Sequence, residues 1–189
     1  MLGNPRGRKS SREKILDAAA ELVAEIGAGR LTLDSVAERA GLSKGGLLYN
    51  FPSKDALLQA MIQRMIDQVR EAREALRSRM EPGPNLEARL AATTLLNMCC
   101  GGKMQEIATG LMVATAENPR LLDPVRAVIA ETLQRLKANS DDLDAALLGW
   151  LAVEGLSNLE MHNLSPFSDQ DRERIVQLIN RLLTKGIAP

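Results

Sequence analysis

The sequence predicts an all-α protein of about nine helices, and three observations predict it. Apolar residues recur at three- and four-residue spacing along most of the 189-residue chain. Serines and threonines suited to N-capping stand ahead of these runs, and glycine or proline follows them. No stretch alternates apolar and polar residues as a strand would, and no segment repeats. The first helix opens at Ser10-Ser11-Arg12-Glu13, which reads as a capping box. Its apolar stripe is Ile15, Ala18, Ala19, Leu22, Val23 and Ile26, and Gly27 and Gly29 are expected to end it. Thr32 then caps a short helix from Leu33 to Arg39, Ala40-Gly41-Leu42 turns the corner, and Ser43 caps a second short helix through Asn50.

Phe51 and Pro52 close that helix, and Ser53 caps a fourth, running to about Met80 on Leu57, Leu58, Met61, Ile62, Met65, Ile66 and Val69. At 1.5 Å per residue it should span about 40 Å. Glu81-Pro82-Gly83-Pro84-Asn85 is the clearest break in the chain. Five more helices are expected: Leu86 to Cys100, Lys103 to Glu117, Asp123 to Ala138, Asp141 to His162 behind a Ser140 cap, and Asp169 to Lys185 behind a Ser168 cap. Pro124 is tolerated in a first turn.

Composition narrows the function classes. Aromatic residues are 2% of the chain, too few for base-stacking platforms or an aromatic cage. The longest apolar run, Ala145 to Val153, falls well short of the roughly 20 residues of a membrane span. Arg6, Arg8 and Lys9 are followed by polar residues rather than the apolar core of a signal peptide, so a cytoplasmic location is expected and no membrane partner. Net charge is zero, yet the residues through Lys54 carry nine basic against six acidic side chains, leaving +3 at the front and −3 behind. Arg6, Arg8, Lys9, Arg12 and Lys14 form a basic arm, which can engage phosphate or remain a solvated tail. Adjacent Cys99 and Cys100 suit small packed residues better than a disulfide, and a lone histidine, His162, leaves no metal-ligand cluster. Neither a nucleophile–base constellation nor a phosphate-cradling glycine loop after a strand is identifiable, so neither enzyme activity nor a cofactor is expected.

The stretch from Thr32 to Lys54 carries the functional signal: two short helices joined by a glycine turn. Val36, Ala40, Leu42 and Leu47 can share a small core, Ala37 lets the helices cross closely, and Gly41 can adopt the positive φ of a C-cap. This is a helix-turn-helix, whose second helix enters the major groove of DNA. With its quoted sequence TLDSVAERAGLSKGGLLYNFPSK, the stretch resembles the N-terminal signature of TetR-family transcriptional regulators. The match covers Ser11 to Leu58, and beyond it only length and helicity agree. The resemblance implies a three-helix DNA-binding domain over 1–53 and a larger helical domain over 54–189 for ligand binding and dimerisation. It further implies a homodimeric repressor of a palindromic operator, released by a small, mainly apolar effector. The alternatives are control by a protein partner without any effector, or activation.

Lys44 is the long charged donor in the half of the second short helix that should face base edges, and Gly45 and Gly46 bring backbone close to the duplex. In the family pattern the Gly46 position is more often Thr, Ser or Ala, so this chain loses a contact there. Tyr49 matches the family's phosphate-contacting aromatic, whereas Leu48 stands where a second aromatic is common. Asn50 can reach DNA or simply close its helix. Thr32, Ser43 and Lys54 sit at helix N-termini, where hydroxyl, ammonium and free amides can grip phosphates.

For the body, Met98, Met104, Ile107, Leu111 and Trp150, with Met112, Met161 and Leu95, offer a soft pocket lining. Thr93, Thr94, Asn97, Glu154, Asn158 and His162 are polar groups on nominally apolar faces that could orient a ligand. The last two long helices are apolar on more than one side and are expected to dimerise through Leu147, Trp150, Leu151, Ile175, Ile179 and Leu182.

Overall fold

The computed structural model describes residues 10–99 and 102–187. Cys100 and the Arg6, Arg8 and Lys9 part of the basic arm lie outside them. Nine α-helices run through the described residues: α1 Ser11–Arg30, α2 Leu33–Ala40, α3 Lys44–Asn50, α4 Lys54–Arg77, α5 Leu86–Cys99, α6 Lys103–Glu117, α7 Asp123–Asn139, α8 Leu143–Met161 and α9 Asp169–Lys185. A 3₁₀ turn, Pro119–Leu122, precedes α7 and was not anticipated. It forms because Asn118 accepts the Arg120 amide through its side chain, at 3.3 Å.

Bounds agree best where a local signal sets them. Ser168 and Asp171 form a reciprocal capping box on α9, and Gly186 ends it with φ 74°. Elsewhere the ends differ from those expected. Gly27 was expected to stop α1; it adopts φ 77° and kinks the helix, which resumes to Arg30. Ser10 accepts the Glu13 amide, giving the capping half of the expected box. The α4 helix stops at Arg77, three residues early, as the Arg79 and Met80 amides both turn back onto the Leu76 carbonyl. Asp142 caps α8 in place of Ser140, accepting the Ala145 amide at 2.9 Å. The displaced Ser140 hydroxyl is buried without a partner.

Two apolar cores organise the chain. The first joins α1–α4 to α6 and the 3₁₀ turn, with Leu16, Val36, Leu47, Leu57, Ile107, Leu111 and Leu121 all buried. The second gathers α5, α7, α8 and α9 around Ala88, Leu136, Ala146, Trp150, Val153, Ile179 and Leu183. The first core therefore crosses from the helix-turn-helix into the body through α6. A Cβ on Gly110 of α6 would stand 2.5 Å from the Val23 carbonyl oxygen of α1 and 2.7 Å from Val23 Cγ1. Since backbone cannot yield as a side-chain tip can, Gly110→Ala should cost about 2 kcal/mol. In a melt that loss reads as a Tm lower by about 4–8 °C, and an unchanged Tm would show that the two helices part freely.

Candidate nucleic-acid interface and cavities of the body

The short helices assemble from local chemistry. Thr32 and Ser35 cap α2 reciprocally, with the Ser35 amide 3.1 Å from Thr32 Oγ1. Gly41 takes φ 66° and returns its amide to the end of α2, and the Gly46 amide donates to Ser43 Oγ at 3.1 Å. Val36, Ala37 and Leu47 are buried where the helices cross, with Ala40 and Leu42 packed at the margin. Phe51 is buried too, beneath the Arg12 guanidinium at 5.4 Å from the ring centroid. Arg39 forks onto both oxygens of Glu25, each at 2.8 Å, pinning α2 to α1 and holding the Glu25 carboxyl below its usual range.

What this frame turns outward is the exposed face of α3. Lys44, Gly45, Leu48 and Tyr49 are exposed, and Tyr49 stands 91% accessible. Lys44 Nζ rests 2.9 Å from Asp34 Oδ1 in a solvated pair, which contributes little and can yield to a phosphate. A Cβ on Gly45 would meet no heavy atom of the described residues within 4 Å, so none of them occupies the space before it. Gly46 is half-buried against Ser43. Asn50 donates its side-chain amide to the Gly46 carbonyl at 2.9 Å, so it closes the helix. Lys54 is half-buried, and its ammonium donates to the Gly29 carbonyl at 3.0 Å, bracing the start of α4 against the end of α1. The hydroxyls of Thr32 and Ser43 both serve as caps at the edge of this face.

Two ties fasten the first half of α4, which follows α3, to its neighbours. Asn118 donates to Asp55 Oδ2 at 3.0 Å, joining the end of α6 to the first turn of α4, directly behind α3. Arg64 on α4 reaches Asp17 Oδ1 and the Leu16 carbonyl, each at 2.8 Å, fastening α4 to α1.

The residues expected to line one pocket fall into different places. Met104 and Ile107 border a cavity of about 290 Å³ between α1, α4 and α6. Trp150 and Glu154 border another, of about 310 Å³, between α4, α5, α7 and α8. Leu111 is buried in the first core, Met98 is half-buried, and Asn158 is exposed with its amide on the Glu154 carbonyl. Sequence reasoning missed the guanidinium groups at the second cavity, Arg70, Arg73 and Arg135. Arg70, Arg73 and Arg77 stand three and four residues apart on α4, a spacing that marks one helix face. Arg73 and Arg77 share Glu87, at 3.2 and 2.6 Å, and Arg77 chiefly holds that carboxyl below its usual range.

The α8 and α9 helices cross at Gly149, where a Cβ would stand 2.5 Å from Leu183 Cδ2. Of the residues expected to dimerise, Trp150 and Ile179 turn into the second core, and Leu147 and Ile175 pack at its margin. Leu182 is half-buried, while Leu151 is 59% exposed, and Leu148 and Leu178 are exposed too. No helix among the described residues is long and apolar enough to cross a membrane.

This arrangement, a capped helix-turn-helix on a helical body, has close counterparts. Residues 15–61 match the family described as bacterial regulatory proteins, tetR family, and residues 83–184 match the tetracyclin repressor-like C-terminal domain. The chain belongs to the TetR family of DNA-binding transcriptional regulators and is not an enzyme. It is 29% identical over 159 residues to the HTH-type transcriptional regulator RutR of Escherichia coli, covering 84% of this chain and 70% of the relative. Over 83 residues it is 31% identical to the HTH-type transcriptional repressor KstR2 of Rhodococcus jostii, covering 43% and 41% of the two chains. A solved TetR-family structure from Streptomyces coelicolor superposes with a TM-score of 0.72 at 24% identity, over 93% of this chain and 99% of that one.

Proposed function

We propose that this regulator is a homodimeric repressor of a palindromic operator, released when a small molecule enters the body. The observation that carries the DNA reading is Tyr49: a ring left 91% exposed at the free face of a rigidly capped helix, beside Lys44 and Gly45. Its hydroxyl suits a phosphate oxygen, Lys44 suits a phosphate or a guanine edge, and the bare Gly45 admits close backbone approach. Thr32, Ser43 and Lys54 flank the face as N-terminal positions, with Lys54 acting first as a brace. Residues 1–53 form the reading head in this scheme, and 54–189 form the body.

Dimerisation through α8 and α9 is supported by the outward leucines Leu148, Leu151 and Leu178, whose burial between two copies would remove apolar surface from water. A twofold pair would set the two α3 helices about one DNA turn apart, roughly 34 Å. A ligand favouring another body conformation shifts that spacing through α4 and through α6, whose Gly110 lies against α1 of the head and whose Asn118 is tied to the first turn of α4. Selection from a random duplex pool, with sedimentation of the free protein, tests the reading. A palindrome and a dimer at micromolar concentration are expected; a monomer that selects no palindrome would overturn it. Transcription from the selected site should rise when the gene is deleted, whereas an activator would give a fall.

A further inference from the structure

The cavity between α4, α5, α7 and α8 has an uneven charge pattern. Arg70 and Arg135 both engage Glu131, and Arg73 engages Glu87. Glu74, the remaining carboxylate from α4, lies beside Arg77 at 3.4 Å. From α5 only Ala91, Thr94 and Leu95 reach the cavity, none of them ionisable. Glu154 of α8 is different. Its Oε1 accepts the Trp150 indole N–H at 3.0 Å, and no cation among the described residues pairs with it. Burial raises its carboxyl above the ordinary value of 4.5, with only the indole hydrogen bond opposing. Thr94 lines the same cavity, and its Oγ1 is buried without a partner. Val69, Leu95, Val128 and Ile129 make the rest of this lining partly apolar.

We propose that this cavity binds a compact lipophilic amine in its protonated form, the ammonium donating to Glu154 and Thr94 Oγ1 beside the Trp150 ring. The inference rests on the effector-controlled reading above and names the chemical class of the effector. An ammonium supplies the countercharge that Glu154 lacks and the hydrogen bond that Thr94 lacks, and an indole face attracts a desolvated cation. A neutral apolar guest would bury the carboxylate further without a partner, at a cost. An anion would find Arg73 Nε buried without a partner, but the other arms of Arg70, Arg73 and Arg135 are already engaged by Glu131 and Glu87, and Glu154 would oppose it.

Trp150 is the single tryptophan of the chain and lines the cavity, so its fluorescence reports occupancy directly. Phenylbutylamine, phenylbutanol and phenylbutyrate share one apolar body and differ in charge. At neutral pH the amine should bind at least about tenfold more tightly than either analogue, a difference of about 1.4 kcal/mol. Glu154→Gln, whose carbonyl can still accept from the indole, should reduce that preference to less than about threefold. Wild-type amine affinity should fall as acid protonates Glu154, and the variant should lose this dependence. The raised carboxyl also contributes stability that is complete below 4.5 and lost as pH rises through the folded-state value. Glu154→Gln should therefore melt no lower than wild type at neutral pH, which certifies its fold.

Equal binding of the three probes, failure of the amine to bind, or a preference that survives Glu154→Gln would each overturn the proposal. So would tightest binding of phenylbutyrate, with sensitivity to Arg73→Gln. Titration of the selected palindrome with the same probes separates the two levels. Amine binding that leaves DNA affinity unchanged would keep the cation site and sink effector control, whereas absence of DNA binding would sink the repressor reading alone.

Discussion

Gly45→Glu should abolish useful operator binding while leaving the protein folded. The position is exposed in the first turn of α3, and a Cβ there meets nothing of the described residues within 4 Å, so the substitution strains no packing among them. Helix propensity improves on replacing glycine, by up to about 1 kcal/mol, and a carboxylate near a helix N-terminus is favoured by the helix dipole. Stability should hold or rise. The same carboxylate would project from the face proposed to meet DNA and place negative charge against phosphates. Like charges forced together in an interface cost several kcal/mol, so affinity for the selected palindrome should fall at least about a hundredfold, or about 2.8 kcal/mol. Gly45→Ala, which adds bulk without charge, should lose much less. Fluorescence anisotropy on labelled duplex measures both, and an affinity within threefold of wild type for the glutamate variant would move the DNA interface away from α3.

The largest loss of stability from a single side chain is expected at Asn85. It is buried at φ 49°, in the left-handed region that asparagine tolerates better than most residues. Its backbone amide donates to Asp141 Oδ2 at 3.1 Å. Its side-chain amide donates to the Leu183 carbonyl at 3.2 Å, and its Oδ1 accepts the Asp142 amide at 3.0 Å. One residue thus joins the start of α5, the start of α8 and the end of α9. Asn85→Ala strips partners from the Leu183 carbonyl and the Asp142 amide, at about 1–3 kcal/mol for each buried group. The left-handed backbone adds about 1 kcal/mol. A net loss of about 3 kcal/mol should lower Tm by about 6–12 °C, read in calorimetry at fixed protein concentration. Asn85→Gly, which relieves the backbone strain alone, should recover part of the loss. A change below about 1 kcal/mol in the alanine variant would show that solvent replaces these bonds.

Asn85 also marks where sequence reasoning ends. Within Glu81-Pro82-Gly83-Pro84-Asn85 it reads as one more loop residue, because its partners lie 56 to 98 positions away. The choice of Asp142 over Ser140 as the cap of α8 is fixed by the same cluster: Asp142 also accepts the Ile187 amide, at 3.0 Å, and gives its own amide to Asn85. Both residues are good caps, so neither is preferred on local grounds. The helix-turn-helix was legible because its caps, its turn and its small core all lie within 23 residues.

The body was legible as helices but not as a site. Met104 and Trp150 both suit a soft lining, yet they border different cavities, since α6 packs onto the head and α8 onto α5. The width of the apolar face on α8 was readable, whereas the inward turn of Trp150 and outward turn of Leu151 were not. By itself the sequence determined the helices and the capped helix-turn-helix, because those follow from hydrogen bonds and apolar spacing within a few turns of chain, and it gave the class of regulator through its resemblance to a family signature. Only the tertiary structure decided that α6 shares the head's core, that Glu154 lacks a countercharge among the described residues, and that Asn85 fastens three helices. Those depend on which distant surfaces meet, and burial acts on whatever arrives there, however far along the chain it began.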